Sequence, residues 1–310
     1  MKKFDYIKHF GFKLFFVKSM RRICINSDSW IAWKINQYNE KIIDKKLLEI
    51  ITSSELVVKR EIWMEKKNDN VSKEPIWIMW YQGIKNAPDI VRCCINSIIM
   101  KNPKHEVIII TEDNFKEYVN LPEFILEKFE RGIISKPHLA DMIRLYLLYA
   151  YGGAWIDATV LNCDTISESY FQKEFYSINF GRKTKDPSHG RWTTFCLFAQ
   201  PGNSLVGDTL DMHYRYWYSQ DLAVDYVMFD YFISYLVKKD AEYSKQVNSI
   251  ELNNIDVFTL VDKLNEKYNG KLPLKDGTIL YKLSWKREYH KYLPDVGETN
   301  YAVVLKDNNI

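Results

Sequence analysis

The stretch from His138 to Thr159 constrains the fold more than any other part of the chain. Apolar residues recur at helical spacing from Leu139 to Ala150, two glycines follow, and a short apolar run then ends at Asp157. This order predicts a buried helix, a tight turn, and a buried strand with an acidic residue at its carboxyl end. Ligands of open α/β sheets bind beyond the carboxyl ends of the strands, so we expect Asp157 to border a site.

The same predicted helix carries two charges, Asp141 and Arg144, which lie three residues apart on adjacent turns. Charges on a helix that is buried nearly all round are costly unless they pair with each other or line a ligand cleft. The residues alone leave both alternatives open, a structural ion pair or a pair of ligand-binding groups.

Strand and helix patterns alternate through the middle of the chain. Short apolar runs predict strands at 76–80, 106–110 and 154–156, and helical spacing predicts helices at about 89–100, at 123–132 and after Pro137. Beyond Asp157 we expect strands within 175–180 and 195–199, helices at 205–218 and 225–238, and a strand plus a turn within 277–286. The alternation favours an α/β fold with a mostly parallel sheet flanked by helices.

Residues 1–72 predict a helical N-terminal extension ahead of an α/β domain at 73–310, which we divide into 73–165 and 166–310. Within residues 2–22, lysines and arginines interleave with apolar residues near helical spacing, which predicts a basic amphipathic helix. Such a helix could lie on an anionic membrane surface as a peripheral contact, or pack on the domain with a solvated lysine face. The pattern favours neither alternative.

Composition excludes several classes of protein. A net charge of +3 over 310 residues is too small for a nucleic-acid-binding protein, so we expect no nucleic acid as partner. The five cysteines show no CxxC spacing, which argues against a zinc site and for a reducing compartment. We also find no signal peptide and no apolar run long enough to span a bilayer, so we expect a cytoplasmic protein.

Two further segments carry residue types that suit a nucleotide ligand. The first predicted strand ends at four candidates for base stacking and close backbone approach: Trp80, Tyr81, Gln82 and Gly83. A hydroxyl, an indole N–H and a cation suited to a diphosphate stand together near the C-terminus: Ser284, Trp285 and Lys286. Taken alone, the first segment is better explained by a core tryptophan followed by an ordinary turn. The alternative for the second segment is an aromatic anchor for the C-terminal tail.

In combination, these segments resemble a known family. The strand ending in Trp80, the A-D-x-x-R at Ala140–Arg144, the glycine pair and Asp157 occur in this order in glycosyltransferases with the sugar-binding DxD region. The chain is most similar to their bacterial branch, the capsular polysaccharide synthesis proteins, which share Gly-Gly-Ala-Trp-Ile-Asp-Ala-Thr and the late Leu-Ser-Trp-Lys at Leu283–Lys286. The resemblance covers about residues 75–290.

The resemblance implies a GT-A fold and transfer of a sugar, with retention of anomeric configuration, from a UDP- or GDP-sugar donor. The expected acceptor is a lipid-linked or polysaccharide precursor of a capsule or other surface polysaccharide, at the inner face of the bacterial membrane. One alternative is a non-catalytic nucleotide-sugar-binding or scaffold protein of a polysaccharide assembly complex. A phosphosugar transferase with the same sheet topology is a weaker one.

The candidate site residues follow from both lines of reasoning. The resemblance gives catalytic roles to Asp141, Arg144 and Asp157, and Asp230 is our candidate for activating the acceptor hydroxyl. The candidate donor-binding residues are Trp80, Tyr81, Gln82, Gly83, His138, Gly152, Gly153, Ser284, Trp285 and Lys286. A divalent cation, Mn²⁺ or Mg²⁺, is expected at Asp157, although Thr159 replaces the second acid and a neutral hydroxyl is a weak ligand for a hard cation.

Overall fold

The computed structural model describes residues 3–182 and 184–310, with nothing described of the Lys3 side chain. Residue 2 of the predicted basic segment therefore lies outside the described residues. The helices are α1 (Lys3–Phe10), α2 (Phe12–Cys24), α3 (Trp30–Thr52), α4 (Arg60–Trp63), α5 (Asp89–Lys101), α6 (Phe115–Tyr118), α7 (Glu123–Glu130), α8 (Lys136–Tyr151), α9 (Glu168–Phe171), α10 (Ser204–Ser219), α11 (Met228–Lys239), α12 (Ala241–Asn248) and α13 (Asn300–Asp307). The strands are β1 (Ile76–Met79), β2 (Val107–Ile110), β3 (Gly153–Ile156), β4 (Val160–Asn162), β5 (Phe175–Ser177), β6 (Cys196–Ala199), β7 (Leu280–Lys282), β8 (Tyr292–Leu293) and β9 (Gly297–Glu298).

Five of these strands form a central sheet in the order β2-β1-β3-β6-β5. Strand β1 pairs in parallel with β2 and β3, whereas β6 pairs antiparallel with both β3 and β5. Four strands therefore run in one direction and β6 alone runs against them. The expected mixed α/β fold, a mostly parallel sheet flanked by helices, is confirmed. The reversal of β6 was not predicted.

Helix α8 lies against β1, β3 and β6 and is buried along most of its length, as its continuous apolar pattern predicted. It begins after Ser135, whose side chain accepts a hydrogen bond from the backbone N–H of His138, and Pro137 occupies its first turn. It ends at Gly152, where φ is 72°. Only Gly152 separates the last residue of α8 from the first residue of β3, so the strand follows the helix directly.

A second, two-stranded sheet brings the C-terminal region to the edge of the first. After β3 the chain turns at Asp157 into β4, which pairs antiparallel with β7 so that Val160 lies opposite Lys282. The backbone N–H of Leu283 also donates to the carbonyl of Thr159 over 2.8 Å. As a result, residues from 282 to 286 lie beside Asp157 at the carboxyl end of β3.

The N-terminal helices pack on the second half of the chain. The hydroxyl of Tyr6 donates to the carbonyl of Val224 over 2.7 Å, and the ammonium of Lys18 lies 2.7 Å from the carboxylate of Asp225. Helix α3 contacts both α10 and α11. The division into an extension and two further parts stays a prediction. No helix in the described ranges is long and apolar enough to cross a membrane.

Candidate active site

A cavity of about 490 Å³ opens at the edge of the central sheet where β1 and β3 end. Its size lies within the range of small-molecule sites. Many of the candidate residues line it: Trp80, Tyr81, Gln82, Asp141, Arg144, Asp157, Asp230, Ser284, Trp285 and Lys286. The structure thus brings together side chains from β1, α8, the β3 turn, α11 and the segment after β7.

One wall of the cavity is aromatic. The rings of Trp80 and Trp285 meet edge to face with their centroids 5.8 Å apart. Within the described part of the chain, the buried Nε1 of Trp80 has no hydrogen-bond acceptor. Beside them, the ammonium of Lys136 lies over the ring of Tyr81, 5.1 Å from its centroid. A buried donor without a partner is unusual in a folded protein, and the part of this wall that borders the cavity offers a flat apolar surface to a ligand.

Arg144 provides the buried positive charge of the site. Its guanidinium lies between two rings, 5.0 Å from the centroid of Trp155 and 5.4 Å from that of Phe229. It donates to the carbonyl of Thr194, and it lies 3.4 Å from the carboxylate of Asp141 and 3.6 Å from that of Asp157. Asp141 and Arg144 therefore pair with each other and also line the cavity, and their role in binding a ligand stays a prediction.

The two aspartates nearest to Arg144 have opposite pKa shifts. Asp157 accepts hydrogen bonds from Lys282 Nζ at 2.6 Å and from Trp155 Nε1 at 2.9 Å. Burial raises the pKa of its carboxyl, but the charges of Lys282 and Arg144 outweigh burial and hold that pKa at about 2. Burial raises the pKa of Asp141 to about 6 against the opposing effect of Arg144. Asp157 is thus a fixed anion, whereas Asp141 is less acidic than an ordinary carboxyl.

A third aspartate, Asp230, reaches the cavity from the first turn of α11. One of its oxygens accepts a hydrogen bond from Trp192 Nε1 over 2.8 Å. Burial, with a smaller effect of the charge of Asp186, raises its pKa to about 7. A carboxyl with a pKa near neutrality is suited to take up a proton during a reaction.

The residues around Asp157 do not fit a divalent cation. Both of its carboxylate oxygens already accept hydrogen bonds, and the charges nearest to them are Lys282 and Arg144, which would repel a cation. In residues 3–182 and 184–310, no cluster of three or more histidine, cysteine, aspartate or glutamate side chains is arranged to hold a metal. The expected Mn²⁺ or Mg²⁺ ligand at Asp157 is therefore not matched by a suitable set of donor atoms.

Four candidate donor-binding residues lie away from the cavity, which corrects their expected roles. Gly152 and Gly153 stand at the amino end of β3, whereas Asp157 follows its carboxyl end. A Cβ on Gly153 would lie 2.1 Å from the carbonyl oxygen of Pro75, and one on Gly152 would lie 2.6 Å from Pro201 Cδ. These glycines allow close backbone packing rather than contact with a ligand.

The other two residues, His138 and Gly83, contact residues that line the cavity without lining it themselves. His138 does not line the cavity. Its Nε2 lies 3.3 Å from the carbonyl oxygen of Tyr226, which does line it, and burial lowers the pKa of the imidazole. Gly83 donates its backbone N–H to the carbonyl of Trp80 over 3.0 Å and has a φ of 78°. It shapes the turn after β1, so the residue needed there is a glycine for conformational reasons.

Sequence reasoning missed several lining residues: Lys136, Thr194, Tyr226 and Lys282. A signal existed for Lys282, because it is a lysine inside the otherwise apolar run from Leu280 to Leu283. Its pairing with Asp157 could not be read from the sequence, since it depends on β7 joining β4.

The part of the chain that forms the cavity is similar to a known protein family. The family model described as capsular polysaccharide synthesis protein matches residues 25–301. The chain belongs to this family. The family match runs from the end of α2 to the first turn of α13, so it contains every residue that lines the cavity.

Two fungal proteins show more local similarity. The chain is 30% identical over 128 residues to O-glycosyltransferase braB of Annulohypoxylon truncatum, covering 38% of this chain and 29% of that protein. It is 26% identical over 111 residues to glycosyltransferase afumC of Aspergillus fumigatus, covering 33% of this chain and 28% of that protein. The chain thus matches less than a third of the length of either relative, and neither supports a bacterial origin.

Among solved structures, the PaToxG Glycosyltransferase matches 68% of this chain and 84% of its own chain at 16% sequence identity. The TM-score of that superposition is 0.36, which is too low to define a shared fold.

Proposed function

We propose that the protein is a glycosyltransferase that moves a sugar from a nucleotide-sugar donor to an acceptor hydroxyl. One observation carries the proposal: the rings of Trp80, Tyr81 and Trp285 line the same cavity as four cationic side chains and three aspartates. Aromatic rings, cations and carboxylates match in kind the base, the diphosphate and the sugar hydroxyls of such a donor. The glycosyltransferase names of the two fungal relatives support the proposal.

The arrangement of the cavity suggests how the donor binds. Trp80 and Tyr81 offer their rings to the base, and Ser284, Trp285 and Lys286 offer a hydroxyl, an indole N–H and an ammonium to the diphosphate. Gln82, which also lines the cavity, adds an amide that can hydrogen-bond the base or ribose.

The chemistry is then mainly electrostatic. As the bond between the sugar C1 and the diphosphate oxygen breaks, negative charge grows on the departing diphosphate and Arg144 stabilises it. Asp141 and Asp157 accept hydrogen bonds from the sugar hydroxyls. Asp230 takes the proton of the acceptor hydroxyl, for which its pKa of about 7 is suited. Retention of configuration, which the family resemblance implies, requires the acceptor oxygen to attack C1 from the side on which the diphosphate leaves, and NMR of the product anomer tests it.

The family name supports a surface polysaccharide as the product, with a UDP- or GDP-sugar as donor and a lipid-linked or polysaccharide acceptor. A membrane-bound acceptor would require the enzyme to reach a bilayer. The exposed face of α2 supports such a contact. At about 100° per residue, Phe12, Phe16 and Ile23 fall on one stripe of the helix, with Lys13 and Arg22 on its two sides.

This stripe lies opposite the buried face of α2, which holds Leu14 and Val17. Phe12, Phe16 and Ile23 are 66%, 53% and 78% exposed, so the helix is packed on the protein and still presents an apolar surface outward. Rings inserted at the headgroup level with lysine and arginine beside them are typical of helices that bind anionic bilayers. We therefore propose an anionic lipid surface, at the cytoplasmic face of the membrane, as the partner of this stripe.

Vesicle flotation tests the membrane contact. The protein should float with phosphatidylglycerol-rich vesicles and stay behind with phosphatidylcholine vesicles, and Phe12→Ser combined with Phe16→Ser should abolish flotation. The matched control is Tyr292→Ser, which removes a ring that is equally exposed but lies on β8. Equal flotation of the double variant and the control would contradict the proposal.

A nucleotide-release assay tests the enzymatic activity. We expect one member of a panel of UDP- and GDP-sugars to release its nucleotide in the presence of membrane extract as acceptor. Arg144→Ala should lower kcat by about 10²–10³-fold, as loss of one electrostatic stabiliser of the transition state does. The control is Arg215→Ala, which removes an arginine of α10 outside the cavity. Tight donor binding without release in the wild-type protein would support the non-catalytic alternative.

A further inference from the structure

Lys282 lines the cavity beside Asp157, a position that the family resemblance did not indicate. Its ammonium lies 2.6 Å from Asp157 Oδ2 and 4.9 Å from the ring centroid of Phe195, and its side chain is 22% exposed at the cavity wall. An ammonium has three N–H donors. Within the described ranges, the ammonium donates one side-chain hydrogen bond, to Asp157, so donors remain for a ligand.

A divalent cation at this site would need the carboxylate of Asp157 as a ligand, and Lys282 Nζ lies against that carboxylate. A metal at this edge of the sheet would bind the carboxylate of Asp157 on one side and the donor diphosphate on the other. Lys282 Nζ already holds one oxygen of that carboxylate, and Arg144 lies 3.6 Å from the other. The residue two positions after Asp157 is Thr159, which is buried and brings no charge. The lysine therefore supplies the positive charge that the aspartate would otherwise share with a metal.

We propose that Lys282, together with Arg144, replaces the divalent cation, so that donor binding and sugar transfer in this protein need no metal. The inference rests on the proposed function and specifies how its site neutralises the diphosphate. In the transfer step, the bond between C1 and the diphosphate oxygen breaks, and its electron pair stays on that oxygen. The ammonium of Lys282 and the guanidinium of Arg144 donate hydrogen bonds to the departing diphosphate. The acceptor oxygen bonds to C1, and its proton passes to Asp230.

Calorimetric titration with UDP, GDP, ADP and CDP tests this inference on the full chain. We expect one of them to bind with the same Kd in EDTA and in millimolar MnCl₂. Lys282→Met keeps the length and packing of the side chain and should weaken binding of that nucleoside diphosphate by about 10- to 100-fold, the effect of losing charge-assisted hydrogen bonds. Lys282→Arg should restore most of the affinity. Lys271→Met, an exposed lysine outside the cavity, is the matched control.

Binding of the nucleoside alone separates a phosphate contact from a structural role. If Lys282 contacts the diphosphate, Lys282→Met weakens the nucleoside diphosphate and leaves the affinity for the nucleoside unchanged. Equal weakening of both, or binding that appears only with MnCl₂, would overturn the inference and leave the proposed function intact. If no nucleoside diphosphate binds under either condition, the proposed function itself fails. Circular dichroism confirms that each variant is folded.

Discussion

Replacing Asp230 by asparagine should make the protein more stable at alkaline pH while it destroys activity. The carboxyl has a pKa of about 7 in the folded protein against an ordinary value of 3.8. As the pH rises, the unfolded chain therefore loses this proton at a lower pH than the folded protein does. The free energy of unfolding falls between pH 3.8 and about pH 7 as a result. Asparagine has a similar shape and can still accept the hydrogen bond from Trp192, but it does not titrate.

The magnitude follows from the size of the shift. A difference of about three pKa units corresponds to about 4 kcal/mol of unfolding free energy at about 1.4 kcal/mol per unit. Asp230 is only partly buried and borders an open cavity, so solvent should reduce this to about 2 kcal/mol. Most of this loss of unfolding free energy occurs as the pH rises above about 5. We therefore expect the stability of Asp230→Asn relative to wild type to rise by about 1–2 kcal/mol between about pH 5 and about pH 8.

Urea unfolding at these two pH values measures the effect, with Asp69→Asn as control because Asp69 is exposed in the segment before β1. If Asp230 also accepts the acceptor proton, its substitution should lower kcat by about 10²–10⁴-fold, and wild-type kcat should rise with pH through about 7. A stability difference that does not change with pH would show that the carboxyl is ionised at no cost, and the reasoning from burial would be refuted.

Three other perturbations test separate parts of the structure. Trp80→Ala removes the ring that is proposed to stack on the base, so calorimetry should show nucleotide binding about 3- to 10-fold weaker, and unchanged affinity would mean that no base stacks there. Gly153→Ala places a Cβ against the carbonyl of Pro75 and should lower the unfolding free energy by about 3 kcal/mol, as measured by urea; a neutral effect would contradict the close packing. The depressed pKa of Asp157 contributes stability above its ordinary value of 3.8 that is lost as pH falls through about 2. Asp157→Asn should therefore be destabilised at about pH 5, and about half of that difference should have disappeared at about pH 3. A constant difference would argue against the ion pair with Lys282.

Much of the sheet could be predicted because its strands are local and strongly patterned. The runs at 76–80, 106–110 and 154–156 became β1, β2 and β3 with ends shifted by a residue or so, since each is apolar and bounded by turn residues. The orientation of β6 could not be predicted, because direction in a sheet depends on the path of the preceding loop. The β8–β9 sheet could not be predicted either, because strands of two residues are too short to show an alternating hydrophobic pattern.

The candidate site was predictable where chemistry and position coincide. Asp157 and Trp80 end buried strands, and the carboxyl ends of parallel strands meet at one edge, so their meeting followed from the pattern. The glycine pair was placed wrongly because two adjacent glycines can serve either a ligand or close backbone packing, and only the neighbouring Pro75 and Pro201 decide between them. Lys282 was missed because its partner is 125 positions away in the chain.

The pairing of β4 with β7 also determines when the site can exist during synthesis of the chain. Strands β1, β2 and β3 are complete by residue 156, whereas β7 begins only at residue 280. Until β7 emerges from the ribosome, β4 is an unpaired edge and Asp157 lacks the lysine that neutralises it. A nascent or truncated chain that stops before residue 280 therefore contains all five strands of the central sheet but lacks Lys282 and the segment from Ser284 to Lys286. One wall of the cavity is missing until β7 and the residues after it have been made.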